Sequence, residues 1–164
     1  TNTQQNLIPG VLNKTIKAFE YVNKNINYTH ILRTNLSSFF IIDNLLKVKD
    51  NLPKNNVYAG VNGGWGVSGA GFWLSKDNIE FILNNLSRLN FKKIDDVAIG
   101  ELLRDKPKIK LNRYDIDYVH PQRHCLSLNE LLKEIKDHYH IRLKNKNRMD
   151  DIKVCKMLTK YFYL

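Results

Sequence analysis

Two adjacent carboxylates, Asp95 and Asp96, are the residues whose type and position most directly suggest chemistry. They stand at the start of a predicted helix, where an acidic side chain can accept hydrogen bonds from the first free N–H groups. One of the two is expected to cap the helix, which leaves the other to act as a general base. A capping pair without a catalytic duty is the alternative.

Glycine is concentrated upstream of this pair, in "YAGVNGGWGVSGAGFWLSKDN", residues 58–78. Six of the eight glycines lie between Gly60 and Gly71. The stretch contains the pattern G-x-G-x-x-G, but a dinucleotide site needs a helix to begin at those glycines, and an apolar run follows instead. The bare backbone favours a loop that closely approaches a bulky ligand. Trp65 and Trp73 could then offer ring faces to a sugar, with burial of Trp73 in the core as the alternative.

Histidine and cysteine recur in the last third of the chain, so metal binding has to be weighed. The spacings H-x-x-x-H-C and H-x-H match no standard structural zinc pattern. The sequence therefore does not predict zinc binding by the five side chains concerned, which are His120, His124, Cys125, His138 and His140.

Composition limits the class of partner. A net charge of +10 on 164 residues suggests anionic partners. The lysines are scattered and thicken only over 106–110 and 142–148, so a nucleic-acid partner is the weaker expectation. Cys125 and Cys155 lack paired spacing, which favours a reducing, cytoplasmic location. No apolar run approaches the roughly 18 residues of a membrane span, and the polar start is unlike a signal peptide.

Periodic apolar residues and capping signals predict five helices that would position these groups. They are a helix over 11–23, one capped by Ser75, one capped by Asp95 that runs to Leu103, one that follows the capping box Ser127–Glu130, and one over 150–162.

Short apolar runs predict strands between the helices. Ile31 and Leu32 indicate a buried strand that ends in a loop, 39–42 begins a new element, and 70–74 is strand-like. The segment "KPKIKLNRYDIDYVH", residues 106–120, favours a strand or hairpin. Because strands and helices alternate, we expect a mixed α/β fold that forms one domain over 1–164.

Three motifs in order resemble the glycosyltransferases of the GT-A type, especially galactosyltransferase-like enzymes. These motifs are "THILRTNLSSFF", "SGAGFWLS" and "IDDVAIG", at residues 29–40, 68–75 and 94–100. The chain is also similar to the small glycosyltransferase-like proteins predicted in giant DNA viruses, which would make it a viral protein. The resemblance covers roughly 7–103 and is loose thereafter.

The resemblance implies a mixed-sheet GT-A-like fold that transfers a sugar from a nucleotide-sugar donor to a carbohydrate or protein acceptor. Asp96 would deprotonate the acceptor hydroxyl, with Asp95 as the alternative base, and inversion at the anomeric carbon is expected. The sugar pocket would be lined by Trp65, Ser68, Gly69, Gly71 and Trp73.

The family's Asp-x-Asp motif, which holds Mn²⁺ or Mg²⁺ on the donor diphosphate, is replaced here by Asn35, Leu36 and Ser37. Neutral oxygens bind a hard divalent cation less well than carboxylates, so the metal is in doubt. Other residues are then expected to contact the donor: Arg33, Asn35 and Ser37 at this motif, and Arg142, Lys144 and Arg148 near the end, with His140 as a candidate metal ligand.

A second departure is length. The family has on the order of a hundred residues before the acidic motif, which bind the nucleotide, whereas this chain has 34. The chain is then the distal part of a larger protein, or its fold lacks the nucleotide-binding part. A non-catalytic carbohydrate-binding or scaffold protein derived from such an enzyme is therefore the alternative function.

Overall fold

The computed structural model describes residues 6–117 and 127–164. Over these ranges the chain is mixed α/β, with two mixed sheets and six α-helices. It divides into two compact units, the first formed by Thr1–Thr34 and Pro53–Leu111, the second by Asn35–Leu52 and Asn112–Leu164. The prediction of a single glycosyltransferase-like domain over 1–164 stays a prediction.

The first unit contains a four-stranded sheet with the order β1-β4-β3-β5. Its strands are β1 (His30–Thr34), β3 (Tyr58–Asn62), β4 (Val67–Ser75) and β5 (Ile109–Lys110). β4 is antiparallel to both β1 and β3, whereas β3 and β5 are parallel.

Three helices pack on one face of this sheet. They are α1 (Gly10–Asn25), α3 (Lys76–Asn84) and α4 (Asp95–Leu102). Phe72 and Leu74 of β4 share a buried cluster with Leu12 and Ile16 of α1 and with Ile99 of α4. Burying one such side chain stabilises the fold by roughly 1.5–3 kcal/mol, so this face carries the unit's core.

The second unit contains a three-stranded sheet with the order β2-β7-β6. Its strands are β2 (Ser38–Phe40), β6 (Tyr114–Asp117) and β7 (His140–Lys144). β7 is antiparallel to β2 and parallel to β6. The sequence H-I-R-L-K of β7 alternates, and Ile141 and Leu143 lie in the core, so its three polar residues point to the opposite face.

The helices of the second unit are α2 (Ile42–Asn51), α5 (Leu128–Ile135) and α6 (Arg148–Tyr163). Side chains of α5 and α6, among them Leu132, Ile135 and Leu158, complete its core. α2 has no buried residue. No helix in the described ranges is both long and apolar enough to cross a membrane.

The predicted helices are all found, with ends shifted by a few residues, and the Ser127–Glu130 capping box is confirmed. The cap predicted for α3 was wrong. Ser75 occupies the N-cap position of α3, but its side chain makes no cap and accepts the Val57 N–H instead, at 2.8 Å. The segment 106–120 was predicted to form a strand or hairpin. Its described part contains two strands, β5 and β6, which belong to different sheets, so strand is confirmed and a hairpin is not formed.

Candidate functional site

The carboxylate of Asp96 lies against the glycine-rich strand β4. Its Oδ2 accepts the Gly69 main-chain N–H at 2.7 Å, and its Oδ1 accepts the N–H of Val97 at 2.9 Å. Asp96 stands in the first turn of α4, where the helix dipole stabilises a negative charge. The acidic pair and the glycine motif therefore meet, through Asp96 and Gly69.

Gly69 is required for this contact. A Cβ at position 69 would lie 2.6 Å from Asp96 Oδ2 and 2.8 Å from its Cγ, closer than real Cβ atoms approach other groups. The contact lies at an irregularity in the sheet: Gly60 pairs with Phe72 but Asn62 pairs with Val67, so β4 carries extra residues there. Such bulges re-aim residues and are common next to active sites.

Asp95 has other partners than those of Asp96 and is 2% exposed. Its Oδ2 accepts the Thr15 hydroxyl at 2.8 Å and lies 2.5 Å from Nη2 of Arg33. Arg33 also donates through Nη1 to the Gly69 carbonyl, and its guanidinium carbon lies 5.7 Å from the centre of the Phe72 ring. Asp95 is thus a buried partner of Arg33, with no exposed oxygen for a substrate.

The predicted capping role of the acidic pair was wrong. Ile94 is the N-cap residue of α4, and no side chain caps the helix. Asp95 and Asp96 are its first two residues, and each carboxylate has partners elsewhere in the unit or at its own turn. Since neither caps the helix, capping does not explain why both positions are acidic.

The other end of α4 packs directly on the loop between β3 and β4. A Cβ at Gly100 would lie 2.9 Å from the Trp65 carbonyl oxygen, and one at Gly66 would lie 2.9 Å from Gly100 Cα. The Tyr58 side chain also packs at this contact, and its Oη accepts the Val67 N–H at 2.9 Å. Burial raises the pKa of Tyr58, and the negative charge of Asp96 raises it further, so the phenol stays neutral.

Sequence analysis missed Thr15, Tyr58 and Gly100 as parts of this site. A glycine inside a helix, such as Gly100, signals close backbone packing and could have been used. Nothing in the local sequence marks Thr15, because its partner Asp95 is 80 positions away.

The two tryptophans lie in different surroundings. Trp65, near the end of the β3–β4 loop, is 71% exposed, with Lys93 Nζ 5.8 Å from its ring centre. Trp73 is buried, and alternation along β4 places it and Gly71 on the face opposite to Phe72 and the helices. The structure brings Asp96 together with Gly69, but not with Gly71 or Trp73.

Ser68 stands between these elements at the irregular part of β4. It is partly buried, and its hydroxyl accepts the Ala70 N–H at 3.4 Å. The substrate-binding roles of Ser68, Gly71, Trp65 and Trp73 stay predictions.

The remaining predicted site residues belong to the second unit. Asn35 Oδ1 accepts the Ser37 N–H and the Ser38 hydroxyl, each at 3.1 Å, and Arg148 donates to the Ser37 hydroxyl. Arg142 lies opposite Ser38 in the β2–β7 register. Lys144 is exposed at the end of β7.

His140, the predicted metal ligand, is fully buried in the second unit. Its Nε2 lies 2.9 Å from Ser38 Oγ, and its ring stacks on Phe40 with 4.7 Å between centres. Burial lowers the pKa of His140 to about 4, helped by the positive charge of Arg113. The imidazole is therefore neutral at pH 7.

The residues at the Asp-x-Asp position do not fit a divalent cation. The Asn35 oxygen already accepts two hydrogen bonds, and the Ser37 hydroxyl faces a guanidinium group. A hard cation prefers several carboxylate or carbonyl oxygens that are free to coordinate it. Within residues 6–117 and 127–164, no group of three or more His, Cys, Asp or Glu side chains is arranged to hold a metal ion.

Three of the five side chains weighed for zinc, His120, His124 and Cys125, lie outside the described residues. Comparison with known proteins adds no assignment, since no protein-family model and no curated protein matches this chain.

Proposed function

We propose that the chain is a GT-A-type glycosyltransferase domain, which transfers a sugar from a nucleotide-sugar donor to an acceptor hydroxyl. The observation that carries this proposal is the meeting of three separate motifs at Gly69. Arg33 of the first motif bonds the Gly69 carbonyl, and Asp96 of the third bonds the Gly69 N–H. Arg33 and Asp96 thus both bond to the main chain of Gly69, one through its C=O and the other through its N–H.

In the proposed reaction Asp96 is the general base. A carboxylate has about four lone-pair sites, and main-chain N–H groups occupy two of those on Asp96. A remaining lone pair takes the proton of the acceptor hydroxyl while that oxygen bonds to the anomeric carbon. The bond from this carbon to the diphosphate oxygen breaks with its electron pair, so the configuration inverts and the nucleoside diphosphate leaves.

Arg33 acts as a positioning residue in this scheme. Its positive charge is balanced by Asp95, so it is not free to neutralise the leaving diphosphate. The binding roles of Arg142 and Lys144, which belong to the second unit, stay predictions. Because the residues at the Asp-x-Asp position do not fit a cation, no step is assigned to one.

The test compares Asp96→Asn with wild-type protein in the release of UDP from UDP-glucose, UDP-galactose and UDP-N-acetylglucosamine, with and without acceptor sugars. Loss of a general base should lower turnover by about 10²–10⁴-fold. Asp105→Asn is the matched control, since the Asp105 side chain is 89% exposed and, among the described residues, forms an ion pair only with Arg104. Equal turnover in Asp96→Asn and Asp105→Asn would remove Asp96 from the mechanism.

A non-catalytic carbohydrate-binding or scaffold role is the second candidate. It is favoured by the same carboxylate, because two main-chain hydrogen bonds give Asp96 a structural duty that needs no substrate. Calorimetry with monosaccharides and UDP, run beside the turnover assay, separates the two functions. Binding without turnover of any of the three donors would decide for this candidate.

A further inference from the structure

A groove of about 350 Å³ runs between α1 and the edge of the first unit's sheet. One face of α1 lines it with residues from Val11 to Val22, and β1 lines the other side with Ile31–Thr34. The lining part of the helix is about 16 Å long at 1.5 Å per residue. A five-residue strand such as β1 has about the same length, so the two walls match.

β1 is the last strand on its side of the sheet and pairs only with β4 among the described strands. The Ser75 N–H bonds to Val57 on the β3 side, and the Lys76 N–H bonds to Thr29 on the β1 side. Because Thr29 bonds on the β4 side, every second residue after it also faces β4, so Ile31 and Arg33 turn their main-chain groups to β4. Leu32, which lies between them, turns its N–H and C=O outward. No described residue bonds to these outward groups of Leu32.

The strand β1 itself, which is described in full, lacks the sequence features by which edge strands usually prevent further pairing. These features are a lysine or proline in the strand, a bulge, or a charged side chain that projects at the edge. The sequence H-I-L-R-T contains neither lysine nor proline, and its register with β4 is regular over all five residues. Its one strong charge, on Arg33, is held by Asp95 and Gly69.

The groove has one polar end and one apolar end. Lys14, Thr15, Arg33 and Thr34 surround the first, whereas the second is lined by Ala18, Phe19, Val22, Ile31 and Leu32. The exposed ammonium of Lys14 favours a negative charge at the polar end. An acyl chain with a carboxylate would match this polarity, but it could not bond to the outward groups of Leu32.

We propose that the groove between α1 and β1 binds an extended peptide segment of a partner protein, which adds to β1 as a new edge strand. Main-chain bonds to Leu32 provide affinity, as in other cases of strand addition. Every second side chain of the peptide enters the apolar end of the groove, and an acidic side chain lies near Lys14. This inference does not depend on the proposed transferase activity.

The probes are two acetylated and amidated hexapeptides of alternating valine and threonine. One carries a glutamate at its N-terminal end, and the other carries a glutamate at its C-terminal end. Hydrogen exchange of ¹⁵N-labelled protein is followed by NMR with and without peptide. At about 90% occupancy, exchange of the Leu32 amide should slow about tenfold, because only unbound protein exchanges. The Arg33 amide, which faces β4, should not change, and the better of the two peptides identifies the strand direction.

Variants of α1 test the groove without disturbing the core. Ala18 is exposed, so Ala18→Leu should fill the groove in a folded protein and weaken peptide binding by about tenfold. Lys14→Glu should weaken binding by about threefold to tenfold. Lys17→Glu is the matched control, with the same charge change on the same helix outside the groove, and should leave binding unchanged.

A peptide with N-methyl groups on alternate residues keeps the side chains but loses the main-chain donors that face β1. If this peptide protects Leu32 as well as the parent does, strand addition is wrong. Absence of binding at about 1 mM of either parent peptide overturns the proposal. Two further results also overturn it. The first is that laurate, an acyl chain with a carboxylate, binds to the groove whereas neither peptide does. The second is that protection of the Leu32 amide rises with protein concentration in the absence of peptide, which would indicate that a second copy of the chain binds there.

Discussion

At the scale of the residue, Gly69 is the position that permits the contact between β4 and Asp96. We expect Gly69→Ala to destabilise the protein by about 1–3 kcal/mol, because its Cβ would overlap the carboxylate. Urea unfolding measures this loss. Repeating the substitution in an Asp96→Ala background should reduce the cost, since the two overlapping atoms, Oδ2 and Cγ, are then absent. An equal cost in both backgrounds would show that the carboxylate is not the obstacle.

His140 makes the stability of the protein depend on pH. Its pKa is about 4 in the folded protein and near 6.5 when unfolded, so protons bind the unfolded state preferentially between these values. The contribution of His140 to the free energy of unfolding is therefore complete above about pH 6.5 and is lost as the pH falls towards 4. The loss should reach roughly 3 kcal/mol at most.

Urea unfolding from pH 7 to pH 4 in wild type and His140→Gln isolates this contribution, because all other groups titrate in both proteins. The difference in the free energy of unfolding between wild type and His140→Gln should narrow as the pH falls. A gap that stays constant would mean that His140 titrates normally, and an NMR titration of its ring would then show a midpoint near 6.5.

At the scale of the element, α4 lies on the β3–β4 loop through two glycines. Gly100→Ala should raise the helix propensity by about 1 kcal/mol in isolation. Here the new Cβ would lie 2.9 Å from the Trp65 carbonyl oxygen and 3.2 Å from Gly66 Cα, and main-chain atoms do not yield easily. We therefore expect a net destabilisation of about 1–3 kcal/mol in chemical denaturation. A gain in stability would contradict the close packing of helix and loop.

At the scale of the whole molecule, the chain forms two compact units, each built from two separate stretches of sequence. Each unit has its own sheet and its own apolar core. The pairing of β1 with β4 and of β2 with β7 joins residues far apart in sequence. Such non-local pairing makes folding slow compared with that of a helical bundle of similar size.

The net charge of +10 also belongs to this scale. Because the basic residues are scattered, we expect only non-specific attraction to nucleic acid. Fluorescence anisotropy with a labelled DNA duplex should show binding that fades between about 50 mM and about 200 mM NaCl. Tight binding that persists at the higher salt concentration would point to a built nucleic-acid site and would contradict this expectation.

The sequence by itself determined the features that depend on neighbouring residues. The Ser127–Glu130 capping box forms as predicted because both partners lie within one turn. The apolar period of α1 places Leu12, Ile16 and Phe19 in the core, since a helix repeats every 3.6 residues. The resemblance between motifs placed Gly69 and Asp96 at one sugar pocket, and that role stays a prediction.

Only the tertiary structure decided how distant residues are used. Asp95 looked like a helix cap, but a buried carboxylate is stabilised more by Arg33 and Thr15 than by its own turn. The pattern of the segment 106–120 favours a strand or hairpin, yet its two described strands pair with distant ones and not with each other, β5 with β3 and β6 with β7. In both cases long-range contacts, which local pattern cannot contain, outweigh local preference.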